Sequence, residues 1–289
     1  MIHLVHVWLW LASIALSPPR PVSLRASFTV DSAEVAGPLD SALTRADEAL
    51  ARGRPWQATR LLSPWLTDSS NRRPAAVFLA ARAASEWKGW REVLQLLSSE
   101  PWLDTLYGGD ARVLLARAAL ERRQDSAALH HATLALRRRP ASGERLLLLA
   151  SALDRLGARD SAASVYVSAA GQLPSIADWI LLRAAAVSDD SVARAGLYAR
   201  IANPLARARI PLADAAAHHN MGDLIGAARR YADAGDRLAS LRLRLAATPD
   251  SAPRAALRRE FLALVSGRGG VGATREAIAT LDSVFAPLQ

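Results

Sequence analysis

The sequence has no cysteine among its 289 residues, which removes disulfides, thiolate metal sites and a cysteine nucleophile together. Stability must come from packing. Lysine is nearly as scarce: Lys88 stands alone, so the balance of 36 Lys+Arg against 27 Asp+Glu, a formal +9, is carried by arginine. Arginine favours flat, bidentate contact with phosphates and carboxylates, but the pairs Arg72-Arg73, Arg122-Arg123, Arg229-Arg230 and Arg258-Arg259 are dispersed rather than gathered into one block. Nucleic acid is not the expected partner. Strand-type alternation bounded by hairpin turns is missing too, and from about Pro38 onward the apolar residues keep a helical period. The expected class is all-α.

At the N-terminus, Ile2 to Leu16 carries no formal charge apart from any protonation of His3 and His6. This run is shorter than the roughly 20 residues of a membrane span and suits the apolar core of a secretory signal. Residues 1–17 are therefore expected to be a signal peptide, with Ser13-Ile14-Ala15 as the best small-x-small cleavage site, and the protein to be exported or periplasmic. An uncleaved anchor, the one membrane contact foreseen, and a buried first helix are the alternatives. Residues 18–37 read as a Pro/Ser-rich linker, because the prolines of "SPPRPVS" remove amide donors and restrict the residues before them.

The centre of the chain repeats itself. Ala116, Ala128, Ala135 and Pro140 return 34 residues later as Ala150, Ala162, Ala169 and Pro174, and a fixed interval of about this length marks an array of helix pairs. In the second copy Leu146, Leu149, Ala150 and Leu153 share one face of a first helix that Gly157 ends. Asp160 or Ser161 can cap the following helix, whose Ala162, Tyr166 and Ala169 share a face. Gly222, Ala227, Tyr231 and Ala234 repeat the spacing of Gly157, Ala162, Tyr166 and Ala169. Helix pairs are thus expected at 109–140, 143–174 and 209–236, with weaker copies at Gly53 and Ala58 and around "AARAASEWKGWREVLQLL". Residues 175–210 are helical in pattern but break the phase.

These positions resemble the tetratricopeptide repeat: a small residue in the first helix, glycine before the turn, alanine, an aromatic and alanine in the second helix, proline at the end. The expected fold is a tetratricopeptide-like helix-pair solenoid, an α-α superhelix, over residues 38–289 and continuing past Gln289. The drifting period, the export signal and the stretches "SIADWILLRAA" and "GDLIGAARRYADAGDRLASLRLRLAA" resemble the N-terminal superhelical region of bacterial soluble lytic transglycosylases. That resemblance implies a non-catalytic scaffold which positions a separate catalytic domain or binds anionic peptidoglycan. The alternative is a free-standing adaptor that grips an envelope protein. A cytoplasmic nucleic-acid binder ranks third.

The catalytic signature of such enzymes, a glutamate followed by serine, does not occur: Glu34, Glu48, Glu86, Glu92, Glu100, Glu121, Glu144, Glu260 and Glu276 all precede other residues. No catalytic residue carries over. A general acid needs a carboxyl kept protonated in a pocket, whereas most of these glutamates sit beside arginines or on polar faces, which favours ionisation.

In "GRGGVGAT" Gly267, Gly272 and Thr274 mimic phosphate-loop spacing, but Ala273 stands where lysine belongs and no strand precedes; a turn before a last helix, "TREAIATLDSVFAPLQ", is expected. That helix carries Ala277, Leu281 and Val284 on one face with no polar cap after it, an end expected to be docked against something. His130-His131 and His218-His219 are adjacent residues, about 100° apart on a helix, and read as surface histidines. No metal site or cofactor is expected. Of the six tryptophans in the body, Trp56, Trp65, Trp87, Trp90, Trp102 and Trp179, most are expected to fill gaps between helices, with Trp87 and Trp90 partly exposed.

Overall fold

The computed structural model describes residues 38–67, 72–248 and 251–266. The expected leader (1–17), linker (18–37), glycine-rich segment (267–274) and last helix (274–289) lie outside the described residues. Those described are helical, with no strand among them, and they divide into two compact units, up to Ala158 and from Arg159.

The first unit comprises α1 (Pro38–Ala51), α2 (Pro55–Leu66), α3 (Pro74–Glu86), α4 (Trp90–Leu97), α5 (Asp110–Glu121), α6 (Asp125–Arg138) and α7 (Gly143–Arg155). Proline opens α1, α2 and α3, at the position where a helix needs no amide donor. Each helix packs on the next, and the odd helices also pack on one another, α1 on α3, α3 on α5 and α5 on α7. The odd helices therefore form one layer and the even helices line it. Alanine allows that closeness: Ala46, Ala76, Ala80, Ala81, Ala83, Ala111, Ala116 and Ala118 are buried within the odd helices. Leu62 and Leu97, wholly buried on α2 and α4, contribute about 1.5–3 kcal/mol each.

One turn geometry ends several of these helices. Gly53, Lys88, Arg123 and Gly157 all have left-handed backbone, with φ of 67°, 64°, 57° and 79°. In each case the amide of that residue donates to the carbonyl three before it, and the next amide donates to the carbonyl five before it, as in Gly53 to Leu50 and Arg54 to Ala49. This pair of bonds satisfies carbonyls that the helix end leaves open. Gly222, at φ 84°, makes the same turn in the second unit.

Burial follows the turns. Seven residues before each lies a wholly buried alanine, Ala46, Ala81, Ala116, Ala150 and Ala215. Five residues after each lies a second wholly buried side chain, Ala58, Val93, Ala128, Ala162 and Ala227. The weak copies at Gly53 and around Lys88 thus share the register of the clear ones.

The second unit comprises α8 (Arg159–Gln172), α9 (Ala177–Val187), α10 (Ser191–Ala199), α11 (Pro204–Arg207), α12 (Ile210–Asn220), α13 (Leu224–Asp233), α14 (Arg237–Ala247) and α15 (Ser251–Ser266). Asp160 lies inside the first turn of α8 rather than before it. Here α9 packs against α8, α10 and α12, and α12 to α15 pack in sequence. The break in phase at 175–210 has a local cause: α9 ends in extended backbone at Ser188, with no left-handed residue, and the Asp190 carboxylate accepts from the Val192 amide at 2.8 Å to start α10. Buried Arg194 donates to the Ser188 carbonyl at 3.0 Å and fixes this substitute turn. Leu238, Leu241, Leu245, Leu257 and Phe261 form the core between α14 and α15.

Candidate binding surface

Several ion pairs tie helices together. On the odd layer, Arg82 reaches Asp47 at 3.4 Å and Arg117 reaches Glu144 at 2.6 Å, linking α3 to α1 and α5 to α7. The strongest tie is Arg145, 2% exposed, which donates to the Ala135 carbonyl at 2.6 Å, the Gly108 carbonyl at 3.0 Å and the Asp110 carboxylate at 2.5 Å. One guanidinium so joins α7, the end of α6, the start of α5 and the left-handed turn at Tyr107 and Gly108. In the second unit Asp214 pairs with Arg194 at 3.5 Å and with Arg230. Beside it burial, the leading cause, and the Asp214 charge push the Tyr198 hydroxyl above the ordinary tyrosine range.

Other glutamates also face arginines. Glu48 faces Arg52 at 3.2 Å, Glu100 faces Arg72 at 2.8 Å, and Glu260 lies 3.7 Å from Arg244. Each of these carboxylates is engaged with a guanidinium.

Among the described residues the histidine pairs sit in separate surroundings. His131 is half-buried and its Nδ1 lies 3.1 Å from the Arg112 guanidinium, which also binds both oxygens of Asp104 at 3.0 and 2.7 Å. Burial, with the Arg112 charge behind it, lowers the His131 pKa to about 4, so the ring is neutral at pH 7 and accepts from Arg112. The hydrogen bond from Arg112 holds the Asp104 carboxyl below the usual range. His218 Nδ1 contacts Asp223 at 2.8 Å, and Asp223 caps α13 by accepting from the Gly226 amide. Among the described residues no group of three His, Asp or Glu is placed to hold a metal, and no helix is long and apolar enough to cross a membrane.

The aromatic residues supply the surface feature that sequence reasoning missed. Trp102 is buried, with its Nε1 donating to Glu100 at 2.7 Å, and Trp65, Trp87, Trp90 and Trp179 are half-buried. Trp56 is 60% exposed, and its ring stacks on Trp87 at a centroid distance of 4.4 Å and an interplanar angle of 13°. Helix phase carries the signal, since buried Ala58 and Leu62 put Trp56 on the opposite side of α2. Arg54 just before this helix, Arg60 on it and Lys88 beside Trp87 are exposed as well. The arrangement offers a flat apolar face with exposed cations next to it in the chain.

No known protein family and no curated protein matches this chain.

Proposed function

We propose that the chain is a tetratricopeptide-like scaffold of the bacterial cell envelope, similar in role to the superhelical region of a soluble lytic transglycosylase. It holds anionic peptidoglycan, or positions a separate catalytic domain on it, and does not cut the polymer itself. The observation that carries this reading is the recurring turn: left-handed residues at 53, 88, 123 and 157, each flanked by the same pair of buried side chains. A chain that repeats one helix pair presents extended surface to a polymer or peptide. The apolar leader supports export, and the arginine excess supports an anionic ligand.

Incubating the purified chain with isolated sacculi tests the non-catalytic part. No soluble muropeptide should be released. Release that disappears on a single Glu260→Gln substitution would overturn it. A protein-adaptor reading is favoured by Val192 and Leu205, 79% and 72% exposed on the second unit; it requires an envelope protein to be captured with loss of capture on Leu205→Asp.

A further inference from the structure

Among the described residues of the first unit Trp56 is the most exposed large apolar side chain, and the ring it stacks on is anchored. Its partner Trp87 donates from Nε1 to the Thr59 hydroxyl at 3.2 Å, and Thr59 donates in turn to the Pro55 carbonyl at 3.1 Å, one residue before Trp56. The far edge of the Trp87 ring lies over Gly89, where an added Cβ would meet ring atoms at 2.0 Å. Both indoles are therefore ordered before any ligand arrives, and the outer one keeps a face to water. Preorganisation of this kind lowers the entropic cost of binding.

Charge narrows the ligand. Arg60 stands one helical turn beyond Trp56 on the same face of α2, Arg54 precedes α2, and Lys88 follows Trp87; Glu86 is the acidic neighbour, so the rim is net positive. A cationic ligand, which a tryptophan face would otherwise attract, is disfavoured. What fits is a flat C–H face joined to a negative charge. The structure assigns the Trp56–Trp87 stack as a subsite for one sugar ring of an anionic glycan, the ring lying on Trp56 and its carboxylate directed to Arg60 and Lys88. The choice of a sugar over another flat anion rests on the envelope-polymer reading above.

The test is saturation-transfer NMR and titration of the full chain with three probes. They are a tetrasaccharide of alternating N-acetylglucosamine and N-acetylmuramic acid, uncharged chitotetraose, and decathymidylate. The charged tetrasaccharide should bind with saturation concentrated on ring C–H protons, Trp56→Ala should weaken it about tenfold, and Trp56→Phe should restore part of the loss. Arg60→Glu, a change at an exposed site, should weaken the charged tetrasaccharide and leave chitotetraose unaltered. Equal affinity in wild type and Trp56→Ala, or Trp56-dependent binding that prefers decathymidylate, overturns the assignment. If Trp56→Ala binds sacculi and tetrasaccharide as wild type does, the subsite is wrong and the wall scaffold stands. If wild type ignores sacculi yet binds the tetrasaccharide through Trp56, the subsite stands and the wall scaffold fails.

Discussion

Replacing Lys88 and Arg123 by glycine should stabilise this protein, against the usual effect of glycine near helices. Both residues hold left-handed backbone, at φ 64° and 57°, in the turn that Gly53 and Gly157 make at 67° and 79°. A Cβ in that conformation costs roughly 1–2 kcal/mol. Glycine removes this strain but gives the unfolded chain more freedom, about 0.4–1 kcal/mol in the other direction. The net gain is about 0.5–1 kcal/mol per site. Both side chains are exposed, so little packing is lost, and sites this far apart should add to about 1–2 kcal/mol in the double variant.

The reverse change supplies the control. An added Cβ at Gly53 or Gly157 meets nothing within 4 Å, so Gly157→Ala should destabilise through backbone strain alone, by about 1 kcal/mol. Urea unfolding followed by circular dichroism reads all four variants against wild type. Lower midpoints for Lys88→Gly and Arg123→Gly, or an unchanged midpoint for Gly157→Ala, would refute the argument that these positions share one turn.

Arg145→Met should cost about 3–5 kcal/mol, because it takes from the Asp110 carboxylate its nearest guanidinium and leaves two backbone carbonyls without their donor; an unfolding midpoint near wild type would contradict this. His131 gives a pH signature. Its folded pKa of about 4 lies below the ordinary 6.5, so the unfolded chain takes up the proton first. Its contribution is complete above pH 6.5 and declines as pH falls toward 4. His131→Gln should flatten that window in urea midpoints measured at pH 7 and 5, and an equally steep variant would show the decline to come from other groups. Gly89→Ala should drive the Trp87 ring from its place over the turn, costing about 1–3 kcal/mol and altering the near-ultraviolet dichroism of the Trp56–Trp87 stack. An unchanged spectrum would count against the described stack.

Much of the helix order was legible because glycine, alanine and proline announce it: Gly157, Ala162 and Tyr166 fix a register that Gly222, Ala227 and Tyr231 repeat. No glycine takes the left-handed position in the turns at Lys88 and Arg123, where packing on both sides overrides a backbone cost of about 1–2 kcal/mol; the pair at 109–140 is legible instead from Ala116, Ala128, Ala135 and Pro140, and the copy around Lys88 only as a weak one. The spacing of Val93 and Leu97 after Lys88 was the available sign. Arg145 escaped notice as a charged residue in a leucine-rich stretch, although it stands in phase with buried Leu148 and Ala152. Its burial depends on the Asp110 carboxylate and two carbonyls brought from elsewhere in the chain, and no local pattern encodes those. Similarly, the exposure of Trp56 was written in its helix phase, whereas the stack on Trp87 required the α3–α4 turn to place a ring from 31 residues away.

Co-sedimentation of the full chain with purified sacculi, across a range of salt, tests the central claim most directly. A scaffold that holds anionic wall polymer through an arginine-rich surface should pellet with sacculi at low ionic strength. It should be released as salt rises toward about 1 M, where charges more than about 3 Å apart are screened. A chain that stays in the supernatant at low salt, or that pellets equally at every salt concentration, would contradict the account.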